Sequence, residues 1–253
     1  MTDLQKASLG KRIIAAIFDF ILLSIIAVGL ATTLSSLFGY DEYMNTVEVA
    51  YETYEAEYGV SLQMTKQEYE ALPEQQQENY KAAMTAINKD EAVVYAYNML
   101  INLMMLILTV SILIAVLVID FVIPLFFGNG QTLGKKIFGI AVMHAEGIRV
   151  SNVQLFIRTL LGKFVFELMI PLSIIFMIFF NSIGILGPLV LLALLIAQLV
   201  SLGTSHTNSF LHDVMSGTVA VDFASQRIFK DREELIEYTK AVHAEKAAQK
   251  EYN

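Results

Sequence analysis

Residues 10–30 read GKRIIAAIFDFILLSIIAVGL, and this stretch decides the fold. Gly10, Lys11 and Arg12 give way to an apolar run that contains a single acid, Asp19. A carboxylate at the middle of a membrane helix costs about 2.5–3.5 kcal/mol on insertion scales. A chain that carries one has a use for it. Asp19 reads either as polar glue between helices or as part of an ion or proton path. The run continues to Leu37, enough helix to cross about 30 Å of hydrocarbon. It is longer than a signal-peptide core, and no small-x-small cleavage site interrupts it before Ala31-Thr32-Thr33, so it reads as a retained span.

Composition agrees. Of 253 residues, 55% are hydrophobic and 17% charged, and the mean hydropathy is +0.56. That balance belongs to membrane proteins. With no cysteine, the chain can form no disulfide framework and has no thiol nucleophile. The net charge of −8 is unevenly spread. Residues 40–96 hold twelve acids against Lys66, Lys81 and Lys89, so the rest of the chain is close to neutral. No concentrated basic face exists for nucleic acid.

Hydropathy divides the chain into residues 1–39, the N-terminus and first span; 40–96, an acidic insert; 97–223, a core with three further spans; and 224–253, a charged tail. The spans fall at about 13–37, 93–127, 155–180 and 188–202, from the length that a bilayer demands. In the insert, Thr65-Lys66-Gln67-Glu68 fits a capping box and Pro73 starts or breaks a helix. Two or three helices packed together and a solvated spacer are both open there. Residues 140–150, IAVMHAEGIRV, read as a short β-hairpin turning at Glu146-Gly147. Residues 181–187 read as a tight turn. The tail reads as a solvated helix or as a partner-binding one.

Lys6, Lys11 and Arg12 flank the first span, and Lys135, Lys136, Arg149, Arg158 and Lys163 flank the second and third. Basic loops stay in the cytoplasm. The expectation is an all-α, multi-pass protein of the cell membrane: a four-helix transmembrane bundle with both termini cytoplasmic. The hairpin would lie at the cytoplasmic interface and the acidic helical insert outside.

Arg12 and Asp19 share a helix face but lie about 10.5 Å apart along the axis, too far for a direct bridge. Asp19 therefore needs a partner from elsewhere. Asp120 is a second acid at the inner end of a span. Gly130-Gln131-Thr132-Leu133-Gly134-Lys135 follows that span; Gln131 and Thr132 can cap a short helix, and the lysines can meet anionic lipid. The GxxxxGK[ST] spacing of a phosphate loop is absent. His212 and Asp213 sit side by side and could relay a proton, with Asp213 facing the bundle and His212 facing water. His206 and His212 are badly spaced for one metal. No nucleophile elbow and no HExxH helix occur, so no catalytic residue, metal or cofactor is expected, and an enzyme is not.

Arg12, Asp19, the GQTLGKKIFGIAV run at 130–142, Arg158, and LHDVMSGTVAV at 211–221 together resemble the RDD family of membrane proteins. The resemblance covers about residues 8–38 and 95–223. It implies that Arg12, Asp19 and Asp213 are the arginine and two aspartates of the family name. It also implies transport of a small solute, cation–proton exchange included. On that reading Asp19 binds the cation or proton, Arg12 and Arg158 are its electrostatic counterweights, and Asp213 pairs with one of them; Asp120, an extra acid outside the family name, and His212 are further candidate ion- or proton-binding residues. Four helices are few for an alternating-access path, so a homo-oligomer in the bilayer is expected. The alternative is a non-transporting interaction protein, with the acidic insert binding a partner and the Arg/Asp set serving only to lock the helices.

Overall fold

The computed structural model describes residues 4–168, 186–205, 207 and 209–251. The chain forms two compact units, Met1–Ala27 with Ile112–Asn253, and Val28–Ser111. The described chain is mostly helical, and two helices are long and apolar enough to cross a membrane.

Helix α1, Leu9–Leu37, is the first of these. Its buried residues are Arg12, Ala15, Asp19 and Ala27, which recur on one face at helical spacing. Ile13, Ile17, Phe20, Ile21 and Ile25 are exposed, and only 17% of its most apolar window is buried. A soluble core helix would bury the aliphatic residues and expose the charges. This helix does the reverse.

In the unit Val28–Ser111, α1 ends and is followed by α2 (Tyr40–Tyr58), α3 (Lys66–Glu70), α4 (Glu74–Ile87) and the start of α5 (Glu91–Leu117). The insert is therefore three helices with a small core: Val60, Leu62, Ala83, Ile87 and Val93, packed by Tyr51, Tyr54, Tyr58 and Tyr80. Local hydrogen bonds shape its turns. Thr65 and Glu68 form the capping box. Glu55 accepts from Leu62 N at 2.6 Å and Ser61 Oγ at 3.2 Å, and the Leu62 bond holds its carboxyl below the ordinary range. Asp90 caps α5 by accepting from Ala92 N and Val93 N.

In the other unit, α5 runs on through a π-helical segment, Val118–Val122, into α6, Ile123–Phe127. Pro124 has no N–H for the Asp120 carbonyl four residues back; the Thr159 hydroxyl donates to that oxygen at 2.9 Å. Then come α7 (Leu133–Ile137), β1 (Ile140–His144), α8 (Asn152–Ile157) and a second π-helical segment, Arg158–Glu167. The third expected span continues past the described residues, and so does the expected turn at 181–187. After them lie α9 (Leu186–Thr204), α10 (Leu211–Ser216), β2 (Thr218–Asp222) and α11 (Arg232–Glu251).

The hairpin expectation needs correcting. The chain does turn at Gly147, with Gly147 N donating to His144 O and His144 N to Ile148 O, both at 2.9 Å. Yet only one bridge, Met143 to Arg149, joins the two arms. The ladder partner of β1 is β2, antiparallel, with Val142 opposite Ala220. Both strands are buried along their first four residues, so each needs apolar cover on both faces. The distant TVAV run supplies a fully apolar partner; the nearer Ile148-Arg149 arm offers a charge and pairs with Phe229 instead.

Candidate functional site

Asp19 finds its answer in the loop before α7. The Thr132 hydroxyl and the Gly134 N–H, the latter at 2.8 Å, both donate to its carboxylate. Thr132 is also the N-cap of α7, accepting from Lys135 N at 3.2 Å. The aspartate therefore meets the positive end of a short helix. Hydrogen bonds to a charged group contribute about 1.5–3 kcal/mol each. Gly134 is required by the approach: a Cβ there would lie 2.4 Å from Ala15 O and 2.9 Å from Asp19 Oδ1. Gln131 does not cap α7; its Nε2 donates to Ile140 O at 2.8 Å and ties the loop to β1. Gly130 holds φ of 60°, and a Cβ there would meet Val142 Cβ at 2.8 Å.

Asp213 is the centre of a second arrangement. It is fully buried, and its two oxygens take two arginines: Arg12 Nη2 at 3.0 Å and Arg158 Nη2 at 2.7 Å. Burial works against its charged form, but Arg158, His212, Arg12 and Lys135 together outweigh that and hold the carboxyl down to about 2. His212 is buried too, at 7% exposure, so the expectation that it faces water fails. The reason is Gly162: a Cβ there would lie 2.5 Å from His212 Cβ, and its absence lets α10 seat against the π-helical segment. Arg158 Nη2 donates to His212 Nε2 at 2.8 Å. Arginine only donates, so the ring proton belongs on Nδ1, where Glu167 accepts it. Gln198 of α9 donates to the same Glu167 oxygen at 2.9 Å and accepts from Leu211 N at 3.0 Å.

Asp120 makes a third contact, with Lys163 Nζ at 2.5 Å. The structure thus joins Arg12, Arg158, His212 and Asp213 in one network, and gives Asp19 and Asp120 separate partners. Glu167 and Gln198 enter the network, and Lys163 pairs with Asp120, without having been singled out as site residues in the sequence. The cost argument made for Asp19 applies equally to Glu167 within RTLLGKFVFE and would have found it.

A cavity of about 390 Å³ opens beside this network. Its charged lining is Arg12, Lys135, Arg158, Lys163 and Glu167, with His212 and Gln198; Leu195, Leu199, Leu202 and Phe210 form an apolar wall. Asp19, Asp120 and Asp213 are not in the lining. Lys135 has no ion-pair partner among the described residues. Burial first, then Arg158 and Lys163, press its ammonium down to about 7. Arg158 Nε is buried with no hydrogen-bond partner among the described residues. Among the described residues, no group of three or more His, Asp or Glu side chains could hold a metal ion.

Charges gathered inside and aliphatic side chains turned outward define a helical membrane protein. A family model, that of the RDD family, matches residues 6–217, and the chain belongs to the RDD family. Neither a curated protein nor a solved structure matches it.

Proposed function

We propose that this chain is a small multi-pass membrane carrier, or a carrier subunit, whose binding site is the cavity beside Asp213 and whose solute is an anion. One observation carries the reading: among the described residues the cavity meets four basic side chains and one carboxylate. Asp19, Asp120, Glu167 and Asp213 balance those four bases overall, but three of these acids lie behind the lining. A solute in the cavity therefore meets the positive side of the network. Arginine forks and lysine ammoniums are the usual partners of carboxylates and oxyanions. The small cation expected from the intramembrane aspartate finds no such support, because Asp19 is committed to Thr132 and Gly134.

The test uses the full chain in non-ionic detergent. Sodium sulfate should raise its melting temperature above that in sodium chloride of equal ionic strength, and Lys135→Gln should remove most of the difference. Equal melting in both salts would defeat the reading. The four-span topology with cytoplasmic termini has a direct assay, since the chain has no cysteine. Ser61→Cys should react with an impermeant thiol reagent from outside, and Ser225→Cys should not.

A second reading, a partner-binding insert, draws support from the separate core of α2–α4. Deleting residues 42–92 should abolish function under that reading and leave sulfate binding intact under the first.

A further inference from the structure

Resting on the anion reading, we infer that the cavity takes an anionic amphiphile, one oxyanion or carboxylate head with a single alkyl chain, admitted sideways from the bilayer. The argument is the division of the lining. Arg12, Lys135, Arg158 and Lys163 come from α1, α7 and the second π-helical segment. Leu195, Leu199 and Leu202 all come from α9. These leucines recur at three- and four-residue spacing, so they make one stripe along the helix. Among the described residues, nothing closes over the stripe. Leu195 and Leu199 are 58% and 62% exposed although they line the cavity, so the cavity has its mouth beside them. In a membrane helix that surface faces acyl chains, not water. A small hydrophilic anion would gain nothing from such a wall. An alkyl chain would lie along it while its head reaches the bases.

The head has a built place. Arg158 is 5% exposed, lines the cavity, and among the described residues keeps one N–H without a partner. Leaving a buried charged donor unmet is costly, and an oxyanion is the acceptor that suits it. Lys135 has no ion pair among the described residues and lines the same cavity. The lateral mouth also explains a chain with few spans: a solute drawn from the leaflet needs no water-filled path to reach this depth.

The test holds the full chain in nanodiscs of neutral phosphatidylcholine and reads bound adducts by native mass spectrometry. The probes are inorganic sulfate, hexyl sulfate, decyl sulfate and decanol. A buried methylene is worth roughly fourfold in affinity. With part of the chain in the wall, decyl sulfate should bind at least about tenfold tighter than hexyl sulfate, and inorganic sulfate weaker still. Leu199→Trp places bulk at the mouth and introduces the only tryptophan of the chain. It should weaken decyl sulfate about tenfold, and its emission should shift when the probe binds. That emission also reports folding. Lys135→Gln, which orphans no carboxylate, should weaken both alkyl sulfates by a similar factor.

Equal affinity for inorganic and decyl sulfate would overturn the amphiphile and leave the anion site standing. Decanol binding as well as decyl sulfate would overturn the anion site as well. No adduct with any probe would overturn both. Unchanged affinity in a folded Leu199→Trp variant would overturn the lateral mouth.

Discussion

Asp213→Asn is the sharpest perturbation of this structure. The substitution keeps the shape and removes the charge shared by Arg12 and Arg158. An asparagine oxygen can accept from one guanidinium, but its amide nitrogen then points donors at the other. One arginine is left inside without its carboxylate. Removing one member of a buried ion pair costs about 3–5 kcal/mol. At about 2–4 °C per kcal/mol for a chain of this length, the melting temperature should fall by about 6–20 °C. The assay is thermal melting of the full chain in non-ionic detergent, followed by circular dichroism and by the fraction that stays monodisperse. Adding Arg12→Met should relieve part of the loss, because the asparagine then faces a single arginine. The double variant should lose at least about 1 kcal/mol less than the sum of the two single losses. A single variant within 1 °C of wild type, or strictly additive behaviour, would refute a shared buried carboxylate.

Four further outcomes follow from the same geometry. Asp213 is held at about 2 against an ordinary 3.8, so its contribution is complete above 3.8 and lost as pH falls toward 2; the Asp213→Asn melting curve should be flatter over that range. Lys135 is pressed to about 7 from 10.5, so its burden on the fold eases as pH rises from 7 towards 10.5. Arg158 and Lys163 lower it while Asp120 and Asp19 partly offset them, and decyl sulfate should bind more weakly at pH 8.5 than at pH 6, a difference that Lys135→Gln abolishes. Gly162→Ala and Gly134→Ala each force a Cβ into backbone or a buried side chain and should cost about 1–3 kcal/mol, read as detergent melting temperature. Asp19→Asn keeps an acceptor for Gly134 N and should retain sulfate binding, whereas Asp19→Leu should release α7 and expose residues 130–137 to protease; loss of binding in Asp19→Asn would return that carboxylate to the site.

Local signals in the sequence carried far. The polar residues of α1 stood out because charge inside an apolar run is costly, and the capping box at Thr65–Glu68 and the cap at Thr132 need only three residues of chain. Contacts between distant residues were out of reach. Asp19 is met by a loop more than a hundred residues on, and the β1 partner lies past four more described helical segments. His212 was misread because burial of α10 depends on Gly162, a residue with no side chain to advertise the contact. Lys163 and Glu167 were hidden by spacing. They sit five and nine residues after Arg158, a poor match to an α-helical face, and the π-helical turn brings all three to one cavity. The sign of the cavity was hidden for the same reason, since the sequence does not show which of the intramembrane acids and bases stand in front and only the fold decides that.

The most direct test of that sign compares two probes with the same tail and opposite heads, decyl sulfate and decyltrimethylammonium, on the full chain in neutral nanodiscs. The account predicts that decyl sulfate binds at least about a hundredfold tighter, or about 2.7 kcal/mol. Equal affinity, or preference for the ammonium, would contradict it.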